Sequence, residues 1–271
     1  MKLKMTRTLT FSSGHRYWFE HLSEDENRTL FGEWASPFSH GHNYVLHVTV
    51  AGQVNASNGM IVNIKDIDLV LKTALLPQFI NRSLNDEVLH FQTNAPTVEN
   101  IMGFVWQEIF RIGLPSEVEL CQIKLEETPT LYGEYDGMKT TITRVYEFAA
   151  SHRLHAPALS EEENLRLFGK CNNPAGHGHN YVLEVTVSGT ADPSSGMICS
   201  IDEIDKIVEE RVVGRYDHKN LNEDIPEFAD RATTSENVSI EIYSRLDGLL
   251  PAQLERVRLF ETARNLFEVS R

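Results

Sequence analysis

The chain has 271 residues, of which 41% are hydrophobic and 24% charged, enough to bury a core, too apolar for a disordered chain, and long enough for two domains of ~100–150 residues each. Its net charge of −14 divides evenly, −7 on either side of residue 137 (10 basic against 17 acidic residues, then 15 against 22), so neither half is a basic arm and nucleic acid is excluded as main partner. The opening MKLKMTRTLTF lacks the apolar run of a signal peptide and no stretch of ~18 apolar residues could span a bilayer, so the expected setting is cytoplasmic, with no membrane partner.

Taken in chain order, TRTLTFSSGH alternates and is rich in Thr and Phe, predicting a first strand that ends in His15. HGH follows at residues 40–42 and opens HNYVLHVTVAG, a second alternating strand; after the turn NASNG, GMIVNI predicts the return arm of a hairpin. Ile67, Val70, Leu71, Ala74 and Leu75 recur at helical spacing, as do the apolar residues of TVENIMGFVWQEIF, and VELCQIKLEET predicts a closing strand.

Then the series repeats. His152, His177, Gly196, Asn222 and Glu236 stand 137 residues after His15, His40, Gly59, Asn85 and Glu99. A constant offset is the mark of a tandem duplication of a whole folding unit, with a linker near YGEYDGMK at residues 132–139. TITRVYEFAASH, HNYVLEVTVSG, a hairpin arm at GMICSI, a helix through Ile204, Ile207, Val208 and Val212, a second helix with Thr233 and Glu236 spaced as a capping box, and the strand RVRLFET repeat the order. Each half is thus expected to be an α+β module, 1–137 and 138–271, in which two helices cover one face of an antiparallel four-stranded sheet.

The histidines carry the chemistry. Two at i and i+2 on a strand leave the same face, and a third ends the neighbouring strand ~4.8 Å away. His15, His40 and His42, and again His152, His177 and His179, therefore predict a site of three neutral imidazoles with one open position, the pattern of catalytic zinc. A closed site with Cys171 as fourth ligand is the alternative, and Trp34 at the matching position of the first module speaks against it. Cys121 and Cys199 are expected to be core thiols. Cys171, in a polar loop, is the thiol expected to be accessible.

FAASHRL, LFGKCNNPAGHGHNY, SGMI, YDHKNLN, TTSEN and LFET, spread over nearly all of residues 140–262, resemble the family of 6-pyruvoyl-tetrahydropterin synthase and 6-carboxytetrahydropterin synthase. The first module resembles it in FSSGHRY, HGHNYVL, NGMI, SLN, TVEN and LEET. The resemblance implies two tandem tunnelling-fold (T-fold) modules that assemble into oligomeric barrels, zinc on His152, His177 and His179, a catalytic Cys171 with an Asp217/His218 pair, and a pterin anchored by Glu261 with Thr234, Ser235 and Glu236. The implied reaction is triphosphate elimination from 7,8-dihydroneopterin triphosphate, giving the 6-pyruvoyl product or, alternatively, the 6-carboxy product of queuosine (deazapurine) biosynthesis. A pterin-binding zinc scaffold without turnover is the reading from a different class.

In the first module Cys171, Asp217 and His218 fall on Trp34, Ile80 and Asn81, while the three histidines stay and Glu127 matches Glu261 at an offset of 134. That module is expected to bind without transferring protons, in a homo-oligomer of three chains or a multiple, a pseudo-hexamer of modules. Glu33, one residue before Trp34, is a second candidate base there, of the type that leads to a hydroxymethylpterin.

Overall fold

A computed structural model of the protein describes residues 2–271. Two compact units are present, Met1–Ile142 with Ser188–Ser200, and Thr143–Val187 with Ile201–Arg271. Unit 1 thus includes a segment of the second sequence repeat.

Unit 1 is built on β1 (Lys2–His15) and β2 (His40–Gln53), which pair antiparallel along their whole length, with His15 opposite His40 and Ser13 opposite His42. Between them, α1 (Glu24–Phe31) opens on a capping box of Ser23 and Glu26, a signal the apolar periodicity does not contain. After β2 come α2 (Ile64–Leu69), continued by a wider helical turn through Leu75, then the two-residue β3 (Arg82–Ser83), the single turn α3 (Leu84–Glu87) and α4 (Val98–Ile112). β4 (Val118–Thr128) and β5 (Leu131–Tyr135) finish a sheet ordered β3-β1-β2-β4-β5. The alternation in HNYVLHVTV sends Tyr44, Leu46 and Val48 into the core, where Ile67, Leu71 and Leu75 of the second helix and Ile101, Met102 and Val105 of α4 are also buried.

Unit 2 repeats the plan. β6 (Thr140–His152), whose first residues belong to unit 1, is followed by α5 (Glu161–Phe168), β7 (His177–Gly189), α6 (Ile201–Val208), α7 (Gly214–Tyr216), β8 (Lys219–Asn220), α8 (Ser235–Leu246), β9 (Gln253–Thr262) and β10 (Asn265–Ser270). Its strands run in the order β8-β6-β7-β9-β10. The α+β class holds, with five strands in each unit rather than four.

Four local expectations are corrected. GMIVNI and GMICSI are not hairpin arms: Asn55 accepts from Ser57 N–H (2.9 Å) and Asn58 from Met60 N–H (3.0 Å), and these side-chain turns take the backbone away from any strand before Asn63 caps α2. Thr234, not Thr233, caps α8, and Thr233 Oγ1 instead donates to the Arg153 carbonyl at 3.1 Å. Cys121 is half-buried rather than a core thiol. Gln122 pairs with Thr49 and Leu120 with Val50, so Cys121 is the extra residue of a β-bulge and loses the alternation that buries Ile123 and Leu125. Cys199 and Cys171 are half-buried as well, so burial does not set Cys171 apart.

Asn222 fixes the chain beside His152: its Oδ1 accepts the Arg153 N–H at 2.7 Å and its Nδ2 donates to the Arg153 carbonyl at 3.0 Å. Asn222→Ala leaves that N–H without its acceptor and is expected to cost about 1–3 kcal/mol in urea unfolding, with weaker metal retention by unit 2. Unchanged stability and retention would show that Asn222 does not hold this strand end.

Candidate functional site

The β1–β2 register puts His15 and His40 directly opposite each other, and His42 follows on the same face. Their ring centroids lie 4.6, 5.0 and 4.9 Å apart, and the corresponding distances among His152, His177 and His179 are 4.7, 5.2 and 4.9 Å. In each trio one nitrogen per ring lies within 4.8 Å of the others, so both can hold a metal ion. The donor chemistry fits. His15 Nδ1 is 3.0 Å from the Pro96 carbonyl and His152 Nδ1 is 2.8 Å from the Thr233 carbonyl. Each Nδ1 therefore carries the proton it donates and leaves a bare Nε2 facing the trio. Nε2 of His152, His179 and His42 is buried without a hydrogen-bond partner among the described residues, and Nε2 of His15 lies 3.1 Å from that of His40. Converging lone pairs of this kind are satisfied by a cation.

Burial keeps four of these imidazoles neutral and ready to ligate: it pulls His15 down to about 3 and His42 to about 4, and it lowers His152 and His179. The Cys171 thiol is not among the groups that converge with His152, His177 and His179. Its residue sits in the short helix Gly169–Asn172, with its carbonyl bonded to Leu154 N–H at 2.9 Å.

Unit 2 carries a cleft of about 690 Å³ whose wall includes His179, His218, Lys219, Asn220 and Glu261. Glu261 Oε1 is 3.8 Å from His152 Nε2 and 3.9 Å from His179 Nε2. Ser235 Oγ donates to the same oxygen at 2.8 Å and Asn265 to Oε2 at 3.2 Å. Burial pushes this carboxyl up, but those two donors and the imidazoles outweigh it, and the net shift is downward. His218 has a left-handed backbone (φ 56°), which turns its ring back so that Nδ1 lies 2.8 Å from Asp217 Oδ2, while Asp217 Oδ1 accepts the Ala149 N–H at 2.8 Å. The bend makes neighbours in sequence into partners in space. The Ala149 and His218 hydrogen bonds hold the Asp217 carboxyl below its ordinary value.

The structure thus gathers His179, His218 and Glu261 on one wall, with His152 behind them and Ser235 on Glu261. It does not bring Cys171 to that wall, and Glu236 is exposed at the start of α8. In unit 1 the cleft, about 600 Å³, is lined by His40, His42, Asn81 and Arg82. Glu127 lies 3.9 Å from His15 Nε2 and 3.7 Å from His42 Nε2, and Glu33 is exposed. Two residues of the unit 2 site escaped sequence reasoning. Lys219, next to His218, is a cation in the cleft wall that the DHK run contains, and Asn265 reaches Glu261 only through the β9–β10 turn.

The family model described as 6-pyruvoyl tetrahydropterin synthase matches residues 4–138 and again residues 141–271. The chain belongs to that family. Its two modules are tandem T-fold modules, and the lyase class expected from the sequence comes with the family. The 6-pyruvoyl tetrahydrobiopterin synthase of Homo sapiens is 48% identical over 126 residues, 46% of this chain and 87% of that protein. The 6-carboxy-5,6,7,8-tetrahydropterin synthase of Rickettsia conorii is 27% identical over 148 residues, 49% of this chain and 99% of that one. A solved Caenorhabditis elegans 6-pyruvoyl tetrahydropterin synthase, 40% identical, covers 49% of this chain and 96% of its own with a TM-score of 0.48. Among the described residues no helix is long and apolar enough to cross a membrane.

Glu99, the unit 1 counterpart of Glu236, is buried and accepts the Ile198 N–H at 2.9 Å. Burial raises its carboxyl from 4.5 to about 7. Between those values the folded protein keeps a proton that the unfolded chain has released, so stability falls as pH rises through the window. Glu99→Gln keeps the acceptor and removes the slope. The variant should match the wild type near pH 5 and exceed it at pH 8 by on the order of 2 kcal/mol in urea titrations; parallel profiles would refute the assignment.

Proposed function

We propose that the second module, residues 138–271, is a zinc-dependent lyase of the 6-pyruvoyl-tetrahydropterin synthase type acting on 7,8-dihydroneopterin triphosphate, and that the first, residues 1–137, binds metal without catalysing. The observation that carries the reading is the single cleft wall shared by His179, Glu261 and His218. A pterin edge presents adjacent N–H donors, and a carboxylate accepts two such bonds in parallel. Glu261, ionised and held by Ser235 and Asn265, suits that edge. Thr234, Ser235 and Glu236 stand at the start of α8 beside it.

His152, His177 and His179 would hold the zinc, which supplies Lewis-acid polarisation of the substrate's side-chain hydroxyls when bound. Asp217 fixes the tautomer of His218: with the proton on Nδ1 facing the carboxylate, Nε2 is free to accept and return a proton at the substrate side chain. Cys171 is assigned the thiolate base by its place in the family motif, and it must approach the cleft from the loop before β7. Lys219 provides a positive charge for the triphosphate. Proton transfers then suffice for triphosphate elimination, without an external redox cofactor. The closer match to the human enzyme, 48% against 27% for the Rickettsia one, favours the 6-pyruvoyl over the 6-carboxy product. A homo-oligomer of three chains, with six modules, fits one competent site per chain.

Incubation with 7,8-dihydroneopterin triphosphate, with triphosphate release and product mass as readouts, tests the activity and separates the two products. Cys171→Ala and His218→Ala should each lower turnover by about 10²–10⁴-fold while metal content and pterin binding stay at wild-type values. Glu261→Ala should weaken pterin binding, and His177→Ala should halve the metal per chain. A scaffold without turnover would release no triphosphate in any of these proteins.

A further inference from the structure

The loop that carries Cys171 is tied to the strand end that carries His152. Four hydrogen bonds join the two residues after His152 to Cys171 and Asn172. Leu154 N–H donates to the Cys171 carbonyl at 2.9 Å, and Asn172 Nδ2 donates to the Leu154 carbonyl at 2.6 Å. The Arg153 guanidinium grips Asn172 twice, from Nε to its carbonyl at 2.9 Å and from a terminal nitrogen to Oδ1 at 3.1 Å. Asn172 is the buried residue of its short helix. The Arg153 backbone is itself held, by Asn222 at its N–H and carbonyl and by Thr233 Oγ1 at its carbonyl.

The first module keeps the backbone of this arrangement without the side-chain clasp. Tyr17 and Ala35, at the positions of Leu154 and Asn172, form a β-bridge. Asn85 holds the Arg16 backbone as Asn222 holds that of Arg153. Ala35 offers no side chain to grip, and the Arg16 guanidinium turns instead to Glu20 at 2.9 Å and Asp86 at 3.2 Å. The fold therefore forms without the clasp. It accompanies Cys171 in one copy and is lost with Trp34 in the other.

We propose that Arg153 and Asn172 are positioning residues for Cys171, fixing the backbone of the base to the strand end that bears a metal ligand. The inference rests on the reading of Cys171 as the thiolate base. Proton transfer needs the reacting atoms about 3–3.5 Å apart, and a misplacement of ~1 Å can cost about 100-fold in rate. The forked guanidinium supplies two directed bonds where an ammonium would act as a point charge. Because Arg153 directly follows His152, base and metal ligand share one support.

Kinetics and thiol alkylation of the full metal-loaded protein test this. Asn172→Ala, and Arg153→Lys, which keeps the charge and loses the fork, should each lower kcat for 7,8-dihydroneopterin triphosphate by about 10–100-fold, with KM and metal content unchanged. In a Cys171→Ala background Asn172→Ala should cost nothing further, because no thiol is left to place; an equal loss in both backgrounds marks a general structural role and overturns the proposal. Asn172→Ala should also change the rate at which iodoacetamide alkylates Cys171 several-fold, with Cys121 and Cys199 at their wild-type rates; an unchanged Cys171 rate overturns it. Turnover that survives Cys171→Ala, or is absent from the wild type, removes the base reading itself, whereas loss in Cys171→Ala with none in Asn172→Ala removes only the clasp. Should the clasp variants not fold, hydrogen exchange in the unaltered chain decides: a Leu154 amide as slow as those of β6 supports the clasp, and exchange at open-loop rates overturns it.

Discussion

Strand register governs this molecule. Three imidazoles meet at one point only because His15 lies opposite His40 and because His42 follows two residues on. A slip by one residue would send His40 and His42 to the other face and dissolve the site. Buried residues prevent it: Tyr44 stacks on Phe11 at 5.1 Å, and Tyr181 on Phe148 at 5.0 Å. Far from the histidines, Thr6 meets Thr49 and Thr143 meets Thr186, each at 2.8 Å. The residue between the paired histidines must be small. A Cβ on Gly41 would stand 3.1 Å from the Ser13 carbonyl oxygen, and one on Gly178 would stand 3.2 Å from that of Ala150.

How much of this can be read from sequence depends on whether a feature repeats with a period. The histidine trios were legible because strand geometry has period 2 and the pattern occurs twice at one offset. The core helices were legible through their 3.6 spacing. Features without a period were not. The bulge at Cys121 inserts one residue and reverses the inside and outside of everything before it. The left-handed bend that turns His218 onto Asp217 has no compositional signature beyond Asn81 adopting the same φ, 57°, in the other module. Asn-centred turns replaced the hairpin arms that alternation suggested.

The duplication shows which constraints belong to the fold and which to the site. Asn27 and Asn164 bond the same way in both modules, each receiving a backbone N–H at 2.7 Å and donating to neighbouring carbonyls. Capping boxes open α1 and α5 alike. Arg7 with Asp68 and Arg144 with Asp205 make the same paired contacts. These interactions hold the scaffold, and both copies need them. Differences gather instead beyond the histidines, at Tyr17 against Leu154, Trp34 against Cys171, and Asn81 against His218.

That distribution separates metal binding from turnover on physical grounds. Inward imidazole nitrogens buried without a partner among the described residues, as Nε2 of His42, His152 and His179 are, are destabilising until a cation satisfies them, so holding an ion stabilises a module whether or not it turns over. Acid–base groups carry no such obligation. His218 has a side chain 83% exposed, and replacing it by Asn81 in the first module leaves the same bend and no buried group unsatisfied. On the proposed reading, folding alone is reason to keep the histidines in both modules, whereas His218 has a use only where a proton moves.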